Sequence, residues 1–524
     1  MFNLPTPKVE RFNPKSTYPL IKSMTHEESI NRNFGFKRNR VSGSWLSSSL
    51  ATAEATLSPV EYGNFVTHVQ KYLSFPAGRG AKYDTVANWS KLRQYQKDGV
   101  KRLVENKATL LGDEMGLGKT VQVAIALEVL ANSCSSAIIV PNHLYTNWCE
   151  ELAKWTSSVV VNGCRTLNAV DGWIISKGVT IVVPFSQIHK IKKLEVDILV
   201  VDEAHYLTNP EARRTLAVAS IEAPRRWLLS GTAFKNHPLE LYSLLNILRV
   251  SDFFGGSRSG FALGFNLADL VKDEPKPTGF RVRRFAKKLP PRLVPKKMST
   301  IDLNKFGALI SEVFYLRRNK SEYLDLPDKV RRHLKLTKAT GVNKKEARDF
   351  KAMVGETTRL DIEHVAEISP LRIASACKLV GSSEFKEYIE GLTEKTVFFT
   401  YHNEVTKDLR KVLKEKGKTV YEVTRDTADA GVEVRKFNEA DNDGAVIIVS
   451  IRKGSTGLTL TSSARVVMIE LDWTVAELSQ CEDRVHRFGQ TKGVTVDYLT
   501  TEGGVDDYVI SKLIQKEHHE SILK

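Results

Sequence analysis

The sequence predicts an α/β protein: two tandem units of parallel sheet flanked by helices, with helical insertions and an N-terminal accessory segment. Three observations carry the prediction. A glycine-rich loop, GDEMGLGKT at Gly112 to Thr120, lies between a short apolar run and a helical pattern. A second apolar run, Ile198 to Val201, ends directly in Asp202 and Glu203, and from Thr396 onward apolar runs again alternate with helical patterns. At 524 residues the chain is too long for one ordinary domain. Its texture divides it into an accessory segment at 1–88, a first sheet unit at 89–250, a basic insertion with linker and helical protrusions at 251–376, a second sheet unit at 377–505 and a docked helix at 506–524.

Hydrophobic residues make up 42% and charged residues 26%, the balance of a globular protein. No run approaches the ~20 apolar residues of a membrane span, and the opening MFNLPTPKVERF lacks the apolar core of a secretory signal. The expectation is an intracellular protein with no membrane partner, in the cytoplasm or nucleoid of a bacterial or viral system or in a eukaryotic nucleus. Cys134, Cys149, Cys164, Cys377 and Cys481 form no CxxC pair, which argues against a disulfide framework and against a zinc site. The formal charge of +16 fits a polyanionic partner, although a solvated lysine surface gives the same sum.

In the accessory segment, NRNFGFKRNRVSGSWLSSS interleaves Arg32, Lys37, Arg38 and Arg40 with Phe34, Phe36 and Trp45. Such a stretch can grip phosphates and stack on bases, or be a basic arm whose aromatics dock elsewhere on the chain; the sequence leaves both open. Residues 57–73 carry apolar positions at helical spacing. At KLRQYQKDGVKRL the first unit begins, and the amide of Gln96 can donate and accept as reading an adenine edge requires, although taken alone the residue reads as an ordinary surface glutamine on an amphipathic helix.

The loop that follows departs from the strict phosphate-binding form GxxxxGK[ST] by placing Asp113 where the first glycine belongs. Gly112, Gly116 and Gly118 keep the backbone free to turn its N–H groups toward phosphate oxygens, with Glu114, Met115 and Leu117 between them. Lys119 would reach the outer phosphates, and the Thr120 hydroxyl would ligate magnesium, a cation that takes oxygen donors. Trp148 and Trp155, seven apart on a helical pattern, read as core. Asp202 and Glu203 then arrive at the C-terminal edge of a strand, where ligands sit in a parallel sheet. Asp202 would hold magnesium through a water, Glu203 would orient and deprotonate the attacking water, and His205 would couple that site to the next strand. In WLLSGTAFKN, Ser230, Gly231 and Thr232 would sense the nucleotide through the acidic strand end. Residues 251–311 look inserted, loosened by glycines, punctuated by prolines and loaded with cations that include Lys287 and Lys288; a nucleic-acid contact and a solvated loop are equally open.

The second unit opens at Thr396 to Phe399 and continues through apolar runs at 421–424, 445–449 and 466–471. Within SIRKGSTGLTLTSSA, Gly454 and Gly457 permit a tight turn, and Thr459 and Thr461 are candidates to touch backbone phosphates. In QCEDRVHRFGQ, Arg484 and Arg487 lie three apart on an expected helix, hence on one face. Two guanidiniums presented together suit the arginine-finger role of stabilising a transferring phosphoryl group, with surface salt bridges as the alternative.

Taken in order, RQYQ, GDEMGLGKT, DEAH, LLSGTAFKN with ELYSLL, YLRRNKSEYLDLPDK, KGSTGLTLT, ELDW and QCEDRVHRFGQ resemble the motif series of the superfamily 2 helicase-like ATPases, specifically the Swi/Snf-type DNA translocase family. The match runs from about Leu92 to Val505, and Asp113 looks like the family's own form of the loop. The resemblance implies two tandem RecA-like lobes, ATP with Mg2+, and duplex or branched DNA as partner. Carried over, Gln96 contacts adenine, Lys119 and Thr120 hold phosphates and magnesium, Asp202 and Glu203 activate water, Arg484 and Arg487 are the fingers, and Gln480 sits beside the nucleotide. Gln94 stands where the family usually has proline, and Ala233-Phe234-Lys235 replaces its commoner proline-led sequence; neither removes a catalytic group. The compact chain looks closest to the fork-remodelling and strand-annealing branch. The function implied is a DNA-dependent ATPase that translocates on duplex DNA and remodels DNA structures or protein-DNA complexes, with replication or recombination proteins as further partners and a monomeric state. The alternatives are a strand-separating helicase and, from another class, a catalytically silent DNA-binding scaffold.

Overall fold

A computed structural model of the chain describes residues 37–38, 45–46 and 66–510, the last span with gaps of which the larger are 76–80, 163–172, 232–236, 272–291, 337–361 and 502–505. It divides between Arg318 and Asn319 into two units.

In the first unit β1 (Ala108–Leu111), β2 (Ser136–Val140), β3 (Val159–Asn162), β4 (Val179–Pro184), β5 (Ile198–Val201), β6 (Arg225–Leu229) and β7 (Tyr315–Leu316) form one sheet in the order β7-β1-β6-β5-β2-β4-β3. Every pairing in it is parallel. Along β5, Ile198 and Val200 enter one core while Leu199 and Val201 enter the core on the opposite face. Burial on both faces is why this strand is a continuous apolar run rather than an alternating one. The helices α1 (Gln94–Glu105), α2 (Lys119–Leu130) and α3 (Tyr145–Trp155) pack on the face that holds Trp148 and Trp227.

The stretch read as a loosened insertion contributes to the other face. There α4 (Arg258–Gly264) and α5 (Thr300–Val313) gather Phe254, Phe261, Phe265, Phe306 and Phe314, all buried in the same core as Leu199 and Val201. Phe254 meets Phe314 edge-on at 5.6 Å, and Phe265 meets Phe306 at 5.2 Å. Gly255 and Gly260 are there for close approach: a Cβ on Gly260 would lie 2.2 Å from the Gly255 carbonyl oxygen, and Gly255 itself has φ of 97°. The glycine spacing therefore marks a tight turn against a packed aromatic cluster, not a slack loop. Lys287 and Lys288 lie outside the described residues.

The second unit holds β8 (Lys329–Leu336), β9 (Thr396–Thr400), β10 (Thr419–Val423), β11 (Ala445–Ser450), β12 (Arg465–Met468) and β13 (Val494–Thr501), ordered β8-β13-β12-β9-β11-β10. All its pairings are parallel. Alternation again sends Val397 and Phe399 into one core and Phe398 into the other, with α6 (Ile362–Gly381) and α7 (Asn403–Glu415) covering the second. The edge strand β8 went unread in the sequence because KVRRHLKL is mostly exposed and charged; Arg332 meets Asp497 of β13 at 2.6 Å and 2.8 Å. The described cysteines are free thiols, and no helix among the described residues is long and apolar enough to cross a membrane. Of the expected C-terminal helix, Asp506, Val509 and Ile510 are described, and all are buried.

Candidate nucleotide site and its braces

Three strands that lie side by side in the first sheet, β1, β6 and β5, deliver the loop at 112–118, Ser230–Gly231 and Asp202–Glu203 to the same C-terminal edge. The loop is shaped by Gly116 and Gly118, at φ of 90° and 77°, just ahead of α2. A Cβ on Gly118 would meet the Gln96 amide nitrogen at 2.6 Å, so only glycine admits the contact. Gln96 donates from Nε2 to the Leu117 carbonyl at 3.3 Å and accepts from the Arg93 N–H at 3.0 Å, which seats it against the loop. The Lys119 ammonium donates to the Asp113 carbonyl at 2.7 Å.

Asp113 explains the departure from the strict loop pattern. Its side chain is fully buried and receives Arg318 Nε at 2.9 Å, Arg318 Nη2 at 2.5 Å and Gln122 Nε2 at 2.9 Å. Arg318 also donates to Gln122 Oε1 at 2.8 Å and to the Tyr95 carbonyl. The backbone is laced the same way, Gly112 N–H to Leu316 O at 2.7 Å and Glu114 N–H to Arg318 O at 3.0 Å. Asp113 therefore braces the loop from behind. Arg318 and Gln122 in this role are missed by sequence reasoning; the signal available was the arginine pair after Tyr315-Leu316.

At the acidic edge Asp202 is buried, accepting the Glu203 N–H at 2.8 Å on one oxygen and the Trp148 indole N–H at 2.7 Å on the other. Burial first, and the adjacent Glu203 carboxylate second, hold Asp202 well above the usual carboxylate range, while the Trp148 bond and the nearby Lys119 charge pull it back. Glu203 has φ of 49°, a left-handed backbone rare outside glycine and found at functional turns. His205 Nδ1 lies 3.1 Å from Ser230 Oγ and 3.1 Å from Glu203 Oε2, linking the end of β5 to the end of β6. The neighbouring Gly231 faces the loop: a Cβ there would stand 3.5 Å from Met115 and 3.9 Å from Lys119 Nζ. Thr232 lies outside the described residues.

In the second unit Gln480 is buried on α8 (Val475–Glu482), but the helix ends before Arg484 and Arg487, which occupy the irregular turn that follows. The expected shared helical face is corrected accordingly. Arg487 Nη1 donates to Leu458 O at 3.2 Å and Thr459 Oγ1 at 3.0 Å, and Gln490 Nε2 donates to Thr461 O at 3.3 Å and Ser463 O at 2.7 Å. The two motifs are thus one knit surface. Beneath it Glu482, fully buried, accepts from Arg331, from Lys329 at 2.8 Å and from Tyr498 at 2.6 Å, while Lys320 reaches Asp483 at 2.5 Å. Gly454 closes the short helix Ile451–Gly454, and Gly457 and Arg40 lie outside the described residues. Arg38 falls in the two-residue strand Lys37–Arg38, paired with Trp45–Leu46.

The donors present fit a magnesium-nucleotide. Hydroxyl and carboxylate oxygens at Thr120 and Asp202 are the hard ligands Mg2+ takes. A glycine-shaped cradle at a helix N-terminus, Lys119 held on the loop and an acidic pair on the same sheet edge make this the candidate nucleoside triphosphate site. The SNF2-related domain family matches residues 95–345 and the helicase conserved C-terminal domain matches residues 383–489. The chain belongs to the SNF2-related helicase-like proteins. It is 28% identical to the Xenopus tropicalis SWI/SNF-related matrix-associated actin-dependent regulator of chromatin subfamily A-like protein 1, over 82% of this chain and 44% of that one. It is 26% identical to the Homo sapiens DNA annealing helicase and endonuclease ZRANB3, over 82% and 40%, and 28% identical to an uncharacterized ATP-dependent helicase of Mycoplasma pneumoniae, over 83% and 42%. The chain thus spans less than half the length of the curated relatives it matches. Among solved structures, the Sulfolobus solfataricus SWI2/SNF2 ATPase core in complex with dsDNA aligns over 82% of this chain and 93% of its own at 22% identity with a TM-score of 0.37.

Proposed function

We propose that this protein is a DNA-stimulated ATPase that translocates on duplex DNA and remodels branched DNA or protein-DNA complexes. The observation that carries the reading is the convergence of the braced loop, the Ser230–Gly231 turn and the Asp202–Glu203 pair on one edge of one parallel sheet. The N–H groups of the loop and the Lys119 ammonium take up the triphosphate charge, Gln96 meets the adenine, and Thr120 and Asp202 would hold Mg2+. When bound, Mg2+ neutralises charge on the phosphate oxygens. Glu203 orients a water and accepts its proton. Arg484 and Arg487 stabilise the transferring phosphoryl group when DNA is bound, which makes hydrolysis depend on DNA. Similarity to an annealing helicase favours fork remodelling and strand annealing over strand separation. The charge of +16 supports a polyanionic track. The reading places the protein with intracellular DNA.

The test is phosphate release by wild type and Glu203→Gln with no nucleic acid, single strands, duplex and forked DNA, beside triplex displacement. Duplex-stimulated release and triplex removal are expected, with release falling by ~10²-fold or more in the variant. Electrophoretic DNA binding without stimulated release would instead indicate a scaffold, and no response to any DNA would remove the motor reading.

A further inference from the structure

Trp148 and Trp227 are both fully buried in the core beneath the nucleotide edge. They differ in one respect. Among the described residues the Trp227 indole nitrogen has no hydrogen-bond partner, whereas that of Trp148 donates to Asp202 Oδ2 at 2.7 Å. The core therefore accepts a buried indole without a polar partner, and packing alone does not account for the bond that Trp148 makes. An indole has a single donor and no acceptor, so this contact uses all of its polar capacity. With the Glu203 N–H on Oδ1 at 2.8 Å, the Asp202 carboxylate is fixed at both oxygens and its plane is set.

We propose that Trp148 is a positioning residue that orients the Asp202 carboxylate toward the magnesium of the bound nucleotide. This rests on the ATPase reading above and adds to it a residue on α3, outside the loop and the acidic tetrad, that determines how the ion is held. Partners of a metal-holding carboxylate fix its direction and tune its hold on the ion. Phenylalanine at this position removes the N–H donor together with part of the indole volume, so the Mg2+ dependence and the comparison in the Asp202→Asn background separate the bond from the packing. Trp155, seven residues on, bonds Glu151 of its own helix at 2.8 Å and serves as the comparison.

The experiment titrates free Mg2+ against binding of a fluorescent non-hydrolysable ATP analogue by wild type, Trp148→Phe, Asp202→Asn, the double variant and Trp155→Phe. Phosphate release over the same Mg2+ range is read in parallel. Trp148→Phe is expected to raise the Mg2+ needed for half-maximal binding by about tenfold or more, to leave affinity in excess chelator unchanged, and to have no further effect on Asp202→Asn. Trp155→Phe is expected to match wild type throughout. A wild-type Mg2+ requirement in Trp148→Phe, equal weakening with and without Mg2+, or an undiminished effect in the Asp202→Asn background would each overturn the proposal, the last two by assigning Trp148 to packing. Wild type that binds the analogue without regard to Mg2+ would overturn the ATPase reading itself, a result separate from any difference between variants.

Discussion

Asp113 shows how a residue that violates a motif can be what makes the motif work. A carboxylate in the first-glycine position is unusual for a loop that must receive phosphate, and in solvent beside the triphosphate it would repel its own ligand. Here it points away, into a fully buried pair with Arg318, with Gln122 bridging the two. Breaking such a pair from one side leaves a buried charge without its counter-charge, a loss of about 3–5 kcal/mol. Asp113→Ala should therefore lower stability by that amount in urea unfolding followed by tryptophan fluorescence, and weaken nucleotide binding with it. Replacing both partners together, Asp113→Leu with Arg318→Met, should recover most of the stability. A single substitution that costs no more than a surface change would mean the pair is not a strut.

At the level of elements, the second unit depends on how β8 grips the end of α8. Burial alone would raise the Glu482 carboxyl, but the hydrogen bonds and charges of Arg331 and Lys329 outweigh it and bring it down to about 2, from an ordinary value of 4.5. Because the folded carboxyl titrates below the unfolded one, its stabilisation is complete above about pH 4.5 and is lost as pH falls toward 2. A depression of that size corresponds to about 3 kcal/mol. Glu482→Gln should cost on that order at neutral pH and flatten the stability profile across this acid window; parallel profiles for variant and wild type would dissociate Glu482 from acid unfolding. This brace also marks the limit of what the sequence discloses. The strands Ile198–Val201 and Ala445–Ser450 were legible because burial on both faces leaves an unbroken apolar run. β8 was not, because its cations are satisfied by carboxylates of β13 and α8 more than 150 residues away. Likewise the catalytic motifs could be read from spacing, while Trp148 could be read only as core: its donor edge gains meaning from a partner 54 residues on.

For the molecule as a whole, the chain passes between units at Arg318 and Asn319, and the residues on either side of that step are each tied down within their own unit. Arg318 is fixed on the phosphate-loop aspartate, and Lys320 on Asp483, the neighbour of Arg484. The step from one unit to the next is therefore anchored by a buried ion pair on its first-unit side and by a lysine–carboxylate pair on its second-unit side. In the second unit Arg487 donates to Leu458 O and Thr459 Oγ1, and on the proposed function it is one of the two guanidiniums that meet the transferring phosphoryl group. Arg484→Ala and Arg487→Ala should then retain affinity for the ATP analogue and for DNA while losing ~10³-fold or more of DNA-stimulated hydrolysis, the scale at which arginine fingers act. The stimulation remaining in wild type should fall steeply with added salt, since phosphate contacts release counterions on binding. Variants that hydrolyse ATP at the wild-type rate would make the first unit self-sufficient, and the DNA dependence would then have to arise inside the loop and acidic pair of that unit alone.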